Sequence, residues 1–198
     1  MTPLSNMKPN LMLIVILFLS PLVSSQAETT NNQSSTVVFV NEGSSLKGSP
    51  FLVYHTYNRS NDFITVINTA TEERSKFRAP EMTKTSVLMK EGICAVCYDG
   101  KIVLFTTSGS RRWENKIDKA TILKCLRISD DKLAVIGSWP SEERKGFDLT
   151  LKVVLVHPDG ISTKEIGSVP KPGALVSPDE CTVCWVRGKE VKCFSVCE

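Results

Sequence analysis

Seven cysteines are the residues of this chain best equipped for chemistry, and four of them form two Cys-x-x-Cys pairs, Cys94 with Cys97 and Cys181 with Cys184. In a thiol–disulfide oxidoreductase that spacing sits at a helix N-terminus, where the dipole lowers a thiol pKa. Here both pairs lie inside strand-like runs, Cys94-Ala95-Val96-Cys97 and Cys181-Thr182-Val183-Cys184. Residues three apart in a strand point to opposite faces, so neither pair is placed to bond within itself. Cys181, Cys184, Cys193 and Cys197 have the donor type of a tetrahedral zinc site. The same alternation divides the first two, however, and an oxidising compartment favours disulfides over free thiolates. The simplest reading is a cross-strand bridge. A hairpin turning at Gly188-Lys189 sets Cys184 opposite Cys193, with Cβ atoms near enough to adjust to a bond. Cys94 and Cys125 read as small apolar residues buried in a sheet.

Other chemistry finds little footing. The chain has two histidines, His55 in a strand pattern and His157 before Pro158 in a turn, too few for a three-histidine metal site. There is no Gly-x-Ser-x-Gly elbow and no Gly-rich phosphate loop. No catalytic residue, metal or cofactor is assigned on these residues. Lys and Arg total 24 against 21 acidic residues, without the basic stripe of a nucleic-acid binder, so a nucleic-acid partner is not expected.

The elements that must position these side chains are strands. Val37–Val40, Phe51–Tyr54 and Phe63–Ile67 are short, rich in β-branched and aromatic residues, and bounded by Gly, Asn, Asp or Ser. No segment sustains a helical apolar period over three turns. The Cys94–Tyr98 strand, its Asp99-Gly100 turn and Lys101–Phe105 are echoed by Cys181–Trp185, a turn at Gly188 and Lys189–Phe194. Two further hairpins begin near Leu52 and Leu133, which spaces four hairpins at about 40 to 45 residues. The expected fold is all-β: four propeller-like antiparallel sheet units, near 36–80, 81–118, 119–170 and 171–198. A lone four-stranded sheet cannot bury both faces, whereas stacked blades can.

This pattern resembles the β-propeller repeats of the pyrroloquinoline-quinone-type and WD-repeat families. The most specific match is Asp99-Gly100, eight residues, Gly109, three residues and Trp113. The resemblance implies that Trp113 wedges between adjacent blades. Phe77 stands near that place in the first unit and Lys164 in the third, and the Trp-Asp dipeptides of WD repeats are absent. Nothing matches a quinone-binding set, so no cofactor is carried over. The last unit lacks an outer strand; either the strand at Thr36–Val40 completes it as a clasp, or the propeller is incomplete or truncated. The alternative fold is an immunoglobulin-like sandwich, from the order Cys125, Trp139, Cys181.

The first 27 residues read as a signal peptide: Lys8, the apolar run Leu11–Leu19, Pro21 and a Ser25-Gln26-Ala27 cleavage site. The apolar run is too short for a membrane span, which takes about 20 residues, so no transmembrane anchor is expected after cleavage. Residues 28–35 form a polar, disordered lead-in. Asn32 and Asn58 head glycosylation sequons, consistent with a secreted or lumenal glycoprotein. The long connection Ser138–Asp148 carries Trp139 and Phe147 and is the expected binding loop, since loops on a rigid sheet scaffold often carry function. The functional expectation is a secreted or secretory-pathway, non-enzymatic binding or scaffold protein with a protein or other lumenal partner. Its alternatives are a secreted enzyme with its site in a propeller channel, or a fragment of a longer propeller protein.

Overall fold

The computed structural model describes residues 39–40, 43–57, 62–139 and 149–197. The signal-peptide segment, Asn32, Asn58 and Phe147 lie outside the described residues. Among the described residues the regular structure is entirely strand, and no helix is long and apolar enough to cross a membrane.

The strands form four antiparallel sheets in chain order. The first holds β1 (Phe39–Val40), β2 (Ser44–Ser45), β3 (Phe51–Tyr57), β4 (Asp62–Asn68) and β5 (Arg74–Arg78). The second holds β6 (Thr83–Met89), β7 (Gly92–Cys97), β8 (Lys101–Phe105) and β9 (Arg111–Lys116). In the third are β10 (Thr121–Arg127), β11 (Lys132–Ser138), β12 (Leu149–His157) and β13 (Gly160–Val169). The fourth holds β14 (Ala174–Asp179), β15 (Thr182–Arg187) and β16 (Glu190–Ser195). Sheets two to four are up-and-down meanders of sequential strands, and so is β3–β4–β5 of the first, where β1 and β2 both pair with β3; this is the architecture of consecutive propeller blades.

Three apolar clusters lie between consecutive sheets. Ile64, Ile93, Ala95 and Val103 belong to the first, between sheets one and two. Cys94, Val96, Leu104, Leu133 and Val135 belong to the second, between sheets two and three. Ala134, Ile136, Leu151, Val183 and Trp185 belong to the third, between sheets three and four. The alternation along each strand makes this possible. In β7, Ile93 and Ala95 face one neighbour while Cys94 and Val96 face the other, all fully buried. Sheets covered on both sides therefore carry near-continuous apolar runs, as Leu133–Gly137 and Val153–Val156 do.

Backbone bonds tie the sheets at their edges: the amide of Ile122 donates to the Tyr98 carbonyl at 2.7 Å, and that of Lys90 to the Asp130 carbonyl at 2.7 Å. The clasp alternative is not formed. Phe39 and Val40 pair with Tyr57 and Thr56 inside the first sheet, leaving β14–β15–β16 as a three-stranded blade. The sandwich alternative is not followed either, because Cys125 is unbridged and Cys181 bonds elsewhere.

Candidate functional site

The fourth sheet places its cysteines by register. Pairing of Arg187 with Glu190 turns the hairpin at Gly188-Lys189, where Gly188 takes a left-handed φ of 60°. Counting back along the ladder brings Cys184 opposite Cys193, and the two form a disulfide with Cα atoms 4.1 Å apart. A second disulfide, Cys181–Cys197, spans Cα atoms 4.9 Å apart just beyond the end of the ladder, beside a bond from the Val196 amide to the Cys181 carbonyl. Sequence reasoning missed this bond. The available signal was that both cysteines flank the open ends of the same hairpin.

Cys94, Cys97 and Cys125 are free thiols. Burial pushes the Cys94 thiol well above its ordinary value, with Cys125 and Cys97 adding to the effect, and pushes Cys125 to about 12. Cys97 is raised by burial too. These groups stay protonated at neutral pH and serve as packing, since the thiolate is the reactive form.

Two of the concave regions among the described residues bring the candidate side chains together. The first surrounds Trp139, which is half-buried rather than displayed on a loop. Gly137 carries no side chain, and a Cβ there would lie 2.8 Å from the indole, so the ring folds back over its own strand. It packs on the cluster between sheets two and three, with the Lys152 ammonium 4.5 Å from the ring centre. Lys152 in turn pairs with Asp118 at 3.5 Å. The indole N–H is buried and has no hydrogen-bond partner among the described residues. Lys116, Asp118, Lys119 and Trp139 line a cavity of about 660 Å³ beside the β11–β12 connection.

The second region is a groove of about 500 Å³ between the third and fourth sheets. Val153, Leu155, Ile166 and Val196 give it apolar walls, while Lys132, Lys164, Ser162 and Ser195 supply polar groups. The Lys132 ammonium stands 3.8 Å from the sulfur of Cys197, which also lines the groove. Close by, the His157 ring Nε2 and the Ser162 hydroxyl are 3.0 Å apart. The pair lies on the exposed β12–β13 turn.

Trp113 occupies the wedge position that the repeat motif implies. Its ring packs on the cluster between sheets two and three, and its N–H donates to the His157 carbonyl of the following sheet at 3.0 Å.

No family model matches the chain, and no curated protein matches it. Among solved structures the chain is similar to BamB from Moraxella catarrhalis, at 16% identity and a TM-score of 0.46, over 77% of this chain and 42% of that one. It is also similar to BBS1N, solved in complex with ARL6DN, at 11% identity and a TM-score of 0.47, over 81% of this chain and 51% of that one. A third likeness is to the Pan2 WD40 domain of Neurospora crassa, at 10% identity and a TM-score of 0.41, over 78% of this chain and 62% of that one. The chain thus spans about half the length of the first two structures.

Proposed function

We propose that this chain is a secreted or lumenal, non-enzymatic binding or scaffold protein that engages a protein partner at the Trp139 corner. The observation supporting this reading is the coincidence of a half-buried tryptophan, a buried indole donor and the Lys116, Asp118 and Lys119 side chains around one cavity, next to the longest connection in the third unit. Aromatic side chains rimmed by charge are the usual anchors of protein interfaces. The apolar run and Ser25-Gln26-Ala27 site at the N-terminus support the secretory half of the reading.

One experiment addresses both halves. A photo-crosslinking residue replaces Phe147 in one sample and exposed Lys189 in another, and the protein is recovered from the medium of secreting cells. The expected result is a mature N-terminus within three residues of Glu28 and a discrete adduct from position 147 only. An intact Met1 overturns the secretory assignment, and equal or absent adducts at the two positions overturn the surface. A second reading, an enzyme, is favoured by the His157–Ser162 pair. Covalent labelling of Ser162 by a fluorophosphonate would select it over the first.

A further inference from the structure

One position on the outer strand of each complete sheet faces the next sheet in the stack. In the first sheet it is Phe77, cross-strand from Ile64; in the second it is Trp113, cross-strand from Leu104. In the third it is Lys164, cross-strand from Val153. The two rings do the same job. Phe77 meets Phe105 of the second sheet with ring centres 5.1 Å apart and covers Gly109, whose φ is 90° and where a Cβ would lie 2.6 Å from the ring. Trp113 reaches the third sheet and bonds the His157 carbonyl. Each ring packs between its own sheet and the next.

At the third gap the outer strand supplies no such ring; Phe194 of the fourth sheet covers Gly167 there, and the rest of the gap is the groove lined by Lys164, Val153 and Ile166. Its volume of about 500 Å³ falls within the range of small-molecule sites. Its walls are apolar where Phe77 and Trp113 are apolar. Its charged lining residues are Lys132 and Lys164, joined by the hydroxyls of Ser162 and Ser195, and no carboxylate is among the described residues that line it.

We propose that this groove binds a small aromatic carboxylate, whose ring takes the place that Phe77 and Trp113 hold at the other two junctions. The carboxylate is received by the Lys132 ammonium, a charge-assisted contact in a half-enclosed site. The ring rests on Val153, Leu155 and Ile166, so bound ligand completes the third junction from outside the chain. This site is separate from the Trp139 corner and does not depend on it.

The test uses the mature protein with naphthalene-2-carboxylate and the uncharged 2-naphthylmethanol, followed by backbone amide NMR. The acid is expected to shift amides of Thr163, Ile166 and Val196 and to bind about tenfold more tightly than the alcohol, the scale of one charge-assisted contact. K132M should remove that preference and leave the alcohol unaffected. K164W, which supplies the missing ring, should abolish binding of both probes while leaving amides of the first two sheets unshifted. The proposal is overturned if the acid binds no better than the alcohol, if neither binds, or if the shifts fall outside the groove. Undiminished binding by a folded K164W also overturns it; should that variant not fold, K132M decides alone.

Discussion

His55 shows how a single side chain can set the pH response of this molecule. It lies fully buried on the same face of β3 as Val53. Burial holds its pKa below the usual 6.5, with the Asp62 carboxylate pulling the other way. The unfolded chain therefore takes up a proton near the usual value while the folded chain resists it. Stability from this group is full above that pH and is lost as pH falls below it. The expected outcome is a thermal midpoint that drops between about pH 7.5 and about pH 5.5, and drops less in H55Q. Parallel curves for the two proteins would show that His55 does not control the response. The sequence placed His55 in a strand but could not say which face it takes, because its neighbours Tyr54 and Thr56 are compatible with either. Trp139 is a similar case. Its place at the start of the long connection was legible, but its turn back over Gly137 depends on a contact that no spacing announces.

Among the elements, the β15–β16 hairpin depends most on covalent reinforcement. Val183 and Trp185 bury one face against the third sheet, while Val176 and Val191 on the other face remain 49% and 59% exposed. With one face covered, the blade has less apolar burial to hold it than the second and third sheets have. The Cys184–Cys193 bond closes a loop with a sequence separation of 9. Loop-closure entropy then gives a loss of about 2–3 kcal/mol for the C184A/C193A protein, read as a shift of the urea midpoint. A shift below about 0.5 kcal/mol would mean that the unfolded hairpin is already closed without the bond. The hairpin was legible because Gly188-Lys189 fixes its turn, and the turn fixes its pairing. The Cys181–Cys197 bond was not, because it lies past the last paired residues, where ladder arithmetic stops. The inner strands of the second and third sheets were legible as buried from near-continuous apolar runs such as Leu133–Gly137. Which neighbour each residue faces required the fold.

Across the whole molecule, stability should follow the number of covered faces. β7, β8, β11 and β12 are buried on both sides, whereas β5 and β16 carry mostly exposed side chains. Native-state hydrogen exchange is expected to show the slowest amides in the four doubly covered strands and the fastest in β5 and β16. Uniform protection across all four sheets would show instead that they open as one unit. The double coverage also changes what guards against mispairing. In a sheet with one wet face, a slip of one residue drives the core set into solvent and is rejected on polarity. In β7 the same slip only exchanges the Ile93 and Ala95 set for the Cys94 and Val96 set, one apolar group for another. Polarity cannot tell those arrangements apart. Side-chain volume can, since close-packed interiors respond to a difference of a single methylene. Small residues such as Ala95 and Ala134 therefore act as gauges of thickness, and the stack is kept in order by size.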